Sequence, residues 1–208
     1  LASEGFEVKI ADIENRDIPN FVELDASDKT ALTEFVKSVD IIVSATLFHL
    51  NKGIADVCAE VGTAYFDLTE DTEVSEHIRS LDTKTFMMPQ SGLAPGAVNI
   101  IASDLIRKFD TVNSLSYKTI RYPGHQASMK FLLDDLNLKH NKKKFIDLFD
   151  QEVPYTTSDV VVMLVSVIGT KDGQLLEKTW SKKIYGQDGH SAIQRTTASG
   201  VCSVVTAY

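Results

Sequence analysis

The chain has 208 residues, 43% of them hydrophobic and 24% charged, a mixture that suits one large globular domain or two small ones. Its 29 acidic residues outnumber 21 basic ones, and with a net charge of −8 and one local basic cluster (Lys142, Lys143, Lys144) nucleic acid is excluded as a partner. No apolar run is long enough to span a bilayer and no signal-peptide pattern opens the chain, while Cys58 and Cys202, in apolar helical patterns far apart in sequence, suit reduced core thiols of a cytoplasmic protein.

Leu1–Gly5 reads as the last turn of a helix closed by Gly5. Phe6–Ala11 follows as a short strand ending in Asp12. Phe21–Leu24 is a second strand, and Ser27 or Asp28 caps a helix over Thr30–Val39. Ile41–Ala45 is a wholly apolar strand, as in a parallel sheet covered on both faces. The helix Lys52–Val61 places Ile54, Val57, Cys58 and Val61 on one face and ends at Gly62. Ala64–Leu68 is a strand, Glu73–Leu81 a helix and Thr85–Met88 a strand; Pro95-Gly96 then opens a helix to Phe109. Strands recurring about every 20 residues between amphipathic helices predict an α/β fold, a Rossmann-type doubly wound parallel sheet. A helix tail leading into such a sheet implies a preceding strand and a Gly-rich pyrophosphate turn, yet the sequence contains no G-x-G-x-x-G.

Ligands of this fold sit at the carboxyl ends of the strands. Asp12 there either accepts hydrogen bonds from the adenosine ribose, favouring NAD over NADP with Arg16 nearby as a counterweight, or merely caps a turn. Asp25 and Ala26 end the next strand, where adenine would lie. Ser44, Ala45 and Thr46 end the third, where small residues let a dinucleotide pass closely, unless they serve turn chemistry alone. Asp67, Leu68, Thr69, Glu70 and Asp71 crowd three carboxylates at the fourth strand end. Asp71, and Glu70 with it, suits a helix cap, whereas Asp67 and Glu70 suit proton exchange with Thr69 as an orienting hydroxyl, Asp67 first because a strand end holds it more rigidly than the following turn. Ser91-Gly92-Leu93-Ala94-Pro95-Gly96 forms a tight turn whose N–H groups suit a cofactor or a substrate carboxylate, if it is more than an ordinary strand-to-helix loop.

In the second half Gln126–Asn137 and Lys142–Gln151 read as helices. Asp159–Ile168 and Gln174–Tyr185 are β-rich runs of a mixed sheet, joined by Gly169–Gly173 with an Asp-Gly hairpin signal. Ser191–Tyr208 is a final helix whose small residues, Gly200 among them, allow close packing. Arg121 suits a clamp on a carboxylate or an inter-domain ion pair; His125 and His190 suit acid/base or structural roles. No spacing suggests a metal site.

DLTED, PQSGLAPG, RYPGH and HSAIQRTTASG, in that order, resemble the saccharopine dehydrogenase-like family over almost the whole chain. That family includes saccharopine dehydrogenases and reductases, lysine 6-dehydrogenase and carboxynorspermidine-type enzymes. The resemblance implies an NAD(P)-dependent oxidoreductase acting at a C–N bond of a small-molecule substrate, an amino acid that is lysine-derived or polyamine-related. It also implies a Rossmann domain over residues 1–115 and a second α/β domain over 116–208, whose last helix packs back toward the first. Asp12, Asp25, Ala26, Ser44, Ala45, Thr46 and Gly92, Leu93, Ala94, Pro95 fall where the dinucleotide is held, and Gly96, Arg121 and His125 toward the substrate. A homodimer is the expected assembly. Two departures stand out: the Gly-rich turn is absent, and only a short segment separates Asp110 from Arg121, where similar members carry much of their second domain. They motivate the competing expectation of a non-catalytic, degenerate module for dimerisation or ligand sensing.

Overall fold

The computed structural model describes residues 1–122 and 159–208, which divide into two compact units. The first comprises Leu1–Ile100 and Thr197–Tyr208, the second Ile101–Thr196. Both expected helices between residues 126 and 151 lie outside the described residues. No helix among the described residues is long and apolar enough to cross a membrane.

The first unit opens with a 3-10 turn, Ala2–Glu4, closed by Gly5 in the left-handed region at φ 92°. Strands β1 (Ile10–Asp12) and β2 (Phe21–Glu23) pair in parallel. Helix α1 (Lys29–Lys37) is capped by Asp28, whose carboxylate accepts the N–H groups of Thr30 and Ala31. Strand β3 (Ile41–Ser44), helix α2 (Phe48–Val61), strand β4 (Ala64–Asp67), helix α3 (Thr72–Ser80) and strand β5 (Met87–Met88) complete the βαβ rhythm. β3, β4 and β5 form a second parallel ladder. Helix α4 (Ala97–Ile106) and the C-terminal helix α5 (Ala192–Ala207) each contain a boundary between the units.

The ladder is covered on both faces because β4 alternates. Tyr65 enters a core with Leu32, Val36, Ile54, Val57, Cys58, Val74 and Ile78 from α1, α2 and α3. Ala64 and Phe66 point the other way, into a core with Val201, Val204 and Val205 of α5. This is the layering of a doubly wound sheet. β1–β2 and β3–β4–β5 are separate parallel ladders among the described residues. Phe6–Lys9, expected as strand, has no ladder partner, and pairing is confined to Ile10–Asp12 against Phe21–Glu23.

In the second unit β6 (Thr111–Tyr122), β7 (Val160–Lys171) and β8 (Gln174–Tyr185) form a sheet that is antiparallel throughout its described strands, where a mixed sheet was expected. Each strand of β7 and β8 continues to Lys171 and from Gln174, so the expected five-residue connection contracts to Asp172-Gly173. Both residues have positive φ, 52° and 76°, as a two-residue hairpin requires. Gly169 is part of the ladder instead of the loop, because a Cβ there would lie 2.2 Å from the Thr111 carbonyl oxygen.

Candidate functional site

Parallel strands deliver their last residues to one edge, and the register places Ser44 directly beside Asp67 there. Both are buried, at 4% and 0% exposure. The Ser44 hydroxyl donates to Asn51 Oδ1 at 2.7 Å, and Thr46 Oγ1 donates to the same oxygen at 3.1 Å. Asn51 lies on the apolar stripe of α2 with Ile54 and Cys58 and is 2% exposed. These three residues lock the turn from β3 into α2. Ala45 and Thr46 remain exposed at its crest.

Asp67 is the centre of the next turn. Its Oδ1 accepts the N–H groups of Thr69 at 3.0 Å and Gln90 at 2.9 Å, and its Oδ2 accepts the Tyr65 hydroxyl at 2.9 Å. Its main-chain oxygen accepts the Ser91 N–H at 2.8 Å. Tyr65 is also fully buried, and burial, reinforced by the Asp67 charge, pushes its hydroxyl above the ordinary tyrosine range. The phenol is therefore a fixed donor. Thr69 is 5% exposed and its hydroxyl accepts the Asp71 N–H at 3.2 Å. Asp71 caps α3 by accepting from Val74, as the sequence suggested, while Glu70 stands exposed between them.

The Gly92–Gly96 turn is packed from within. Gly92 and Gly96 form a bridge, and the Gly92 carbonyl accepts the Ala97 N–H at 2.9 Å. Gly96 has φ 132°, and a Cβ on it would lie 2.1 Å from the Gly92 oxygen. From α5, a Cβ at Gly200 would lie 2.4 Å from the same oxygen. The N–H groups of Gln90, Ser91, Ala97 and Val98, which flank the turn, are engaged inside this assembly. Leu93 is buried, whereas Ala94 and Pro95, joined by a cis peptide, are half-buried at its outer side.

At the ends of β1 and β2 the Leu24 N–H donates to the Asp12 carbonyl, bringing Asp12 and Asp25 to neighbouring turns. Asp12 is half-buried, accepts the Glu14 N–H at 3.3 Å and lies 3.4 Å from the Arg16 guanidinium. The Ser27 hydroxyl and then its N–H hold the Asp25 carboxyl below the usual carboxylate range. Ala26 packs against the α1–α3 core. Arg121 lies in β6 opposite Val161, and His125 falls outside the described residues. His190 bridges to Gln187 in the turn before α5. No group of three or more His, Cys, Asp or Glu among the described residues could hold a metal.

Asn51 and Tyr65 were not singled out by sequence. Their signal was present: Asn51 interrupts an apolar helical stripe, and Tyr65 sits two residues before a strand-terminal acid on the same face of β4.

A family model described as the saccharopine dehydrogenase NADP binding domain matches residues 6–88, the span from the strand leading into Asp12 to the end of β5. Over these residues the chain is similar to that family's dinucleotide-binding domain, and the cofactor class the match supports is NAD(P). The fold is similar to that of apo saccharopine dehydrogenase (L-Glu forming) from Saccharomyces cerevisiae, with a TM-score of 0.61 over 90% of this chain and 80% of that one, at 11% identity. Asp12 ends β1, Ala26 lies just beyond β2, and Ala45 and Thr46 follow the end of β3. A pyrophosphate cradle of G-x-G-x-x-G type is not part of this sequence.

Proposed function

We propose that this protein transfers a hydride at a C–N bond of an amino acid, lysine-derived or polyamine-related, as an NAD(P)-dependent oxidoreductase of saccharopine dehydrogenase type. The match of residues 6–88 to that family's dinucleotide domain carries this reading. The motifs DLTED and SGLAPG support it by meeting at one edge, where Gln90 and Ser91 bond to Asp67.

The bound nicotinamide would supply the hydride acceptor or donor. Asp12 would accept from the ribose hydroxyls, with Arg16 tempering its repulsion of a 2′-phosphate. Ala45 and Thr46 would border the dinucleotide, and Ala94 and Pro95 would face the junction of cofactor and substrate. Of the two carboxylates expected to exchange protons, Asp67 is buried, like the orienting hydroxyl of Thr69, and Glu70 is exposed, so Glu70 takes the exchange with the substrate amine. An acidic mouth favours an ammonium-bearing substrate over a neutral alcohol.

Purified protein is assayed with lysine, saccharopine and a carboxylated polyamine beside simple 2-hydroxy acids and alcohols, following reduced nicotinamide by absorbance. Turnover of the amines supports the reading; turnover of the hydroxy compounds alone overturns it. A non-catalytic module is the second reading, favoured by the absent G-x-G-x-x-G. Dinucleotide binding without turnover of any amine in the screen would favour it.

A further inference from the structure

The carboxylate of Asp67 has no route to a substrate. It is 0% exposed, and three donors fix it: the Thr69 N–H and Gln90 N–H on Oδ1 and the Tyr65 hydroxyl on Oδ2. Two of these donors come from the chain just beyond strand ends, where no ladder partner remains. β5 ends at Met88, and Gln90 then adopts φ 62°, a left-handed conformation that a non-glycine residue holds only when its surroundings enforce it. The enforcing contacts are the two main-chain bonds to Asp67, from Gln90 to the carboxylate and from Ser91 to the carbonyl at 2.8 Å. Ser91 adds a hydroxyl bond to the Met88 carbonyl at 3.0 Å. Two residues beyond Gln90, Gly92 opens the turn that its bridge with Gly96 closes, so the geometry set at Gln90 leads directly into the Gly92–Gly96 turn.

We propose that Asp67 is a positioning residue, which aims the Gln90–Gly96 turn by substituting its carboxylate for the missing ladder partner. The assignment rests on the dinucleotide reading only for its consequence in turnover; the geometry of the turn stands apart from it. Asparagine can keep both main-chain bonds. Its amide oxygen accepts from Thr69 and Gln90, while the Tyr65 contact reverses, the amide N–H donating to the phenol oxygen and the Tyr65 O–H giving up its acceptor. Alanine can satisfy neither main-chain N–H. A group that transferred a proton would show the opposite pattern, because asparagine is as inert in that role as alanine.

The test compares Asp67→Asn with Asp67→Ala by residue-resolved amide hydrogen exchange and by turnover. Exchange at Gln90 and Ser91 is expected to rise at least about tenfold in Asp67→Ala and to stay within about threefold in Asp67→Asn. Turnover is expected to follow, with Asp67→Asn restoring it to within about tenfold of wild type and keeping the wild-type pH profile of kcat/KM. Wild-type exchange rates at Gln90 and Ser91 in Asp67→Ala overturn the proposal. So does an Asp67→Asn variant with intact protection whose turnover falls as far as that of Asp67→Ala, by about 100-fold or more. If the protein turns over no amine, the reaction reading fails while the exchange result still decides the positioning role. Should Asp67→Ala not fold, the wild-type protein decides: Gln90 exchanging as fast as exposed Glu70 overturns the proposal, and protection about tenfold or more above Glu70 supports it.

Discussion

Replacing glycine by alanine inside a helix is expected to stabilise this protein at Gly53 and destabilise it at Gly200. Both positions lie within long helices, α2 and α5, where alanine gains roughly 1 kcal/mol over glycine from backbone entropy alone. At Gly53 a new Cβ meets nothing within 4 Å, so the full gain is expected, a rise of about 2–4 °C in melting temperature. At Gly200 the Cβ would stand 2.4 Å from the Gly92 oxygen and 3.0 Å from its carbonyl carbon. Real Cβ contacts do not fall below 3.0 Å, so helix and turn must separate by at least 0.6 Å. The turn resists this. The Gly92 oxygen is tied to the Ala97 N–H, and Gly96 abuts it from the other side. Overpacking of this kind costs about 1–3 kcal/mol, and the rigid backbone neighbour places Gly200 in the upper half of that range. After the helix gain, a net loss of about 1–2 kcal/mol remains, or roughly 2–8 °C. Thermal and urea unfolding of both variants, followed by circular dichroism, measure the pair. A Gly200→Ala protein as stable as Gly53→Ala would refute the packing of α5 on the turn, since propensity alone cannot separate the two positions.

Asp28→Ala should cost about 1 kcal/mol in urea unfolding, because the N–H groups of Thr30 and Ala31 lose their acceptor; Ser27→Ala, which leaves the cap in place, should cost less than half of that. The Cys58 thiol, pushed up to about 12 by burial from an ordinary 9.0, should hold about a thousandfold less thiolate than a free thiol at pH 8, and alkylation monitored by mass spectrometry should leave it unmodified in the folded protein. Because the folded state keeps this proton where the unfolded chain releases it, the stability it contributes should be complete below about pH 9 and decline from there toward pH 12. Asp12→Ala should raise affinity for NADP(H) relative to NAD(H) by about tenfold, and Arg16→Ala should move the ratio the other way; fluorescence titration of both cofactors checks the pair.

The parallel half of the fold was legible because its strands are apolar, short and separated by helices with capping chemistry: Asp28 and Asp71 cap helix starts through their carboxylates, and Gly62 ends a helix through its left-handed backbone. The Asp172-Gly173 hairpin was legible for the same reason: the dipeptide has a conformational requirement that few others meet. β6 was not. Its apolar residues fall at Val112, Leu115, Tyr117 and Ile120, and the register shifts between Val112 and Ser114. One extra residue reverses the faces of the strand, so the period-2 signal breaks near its start and again between Tyr117 and Ile120. Helix α2 begins at Phe48, four residues ahead of the expected Lys52, because Leu47 offers its carbonyl to Leu50 without a recognisable capping side chain.

One physical fact accounts for where the candidate residues stand in the fold and for what their side chains touch. A strand buried on two faces is apolar until its last residue, so Ser44 after Ile41–Val43 and Asp67 after Ala64–Phe66 mark the sheet edge in the sequence itself. They also stand side by side in register. What a one-dimensional pattern does not carry is which way those polar side chains turn. A buried polar group must be satisfied, and at the edge of a parallel sheet the nearest unsatisfied partners are the main-chain N–H groups of the next loop. Asp67 therefore takes the Gln90 N–H, and Ser44 and Thr46 take Asn51, before any ligand can compete. Residues that terminate buried strands here build the turns, and the exposed residues one to three places further on, Ala45, Thr46 and Glu70, are the ones such turns present. At β5 the offset is longer: Met88 ends the strand, and the half-buried Ala94 and Pro95 lie further on, in the turn that Asp67 holds from its start.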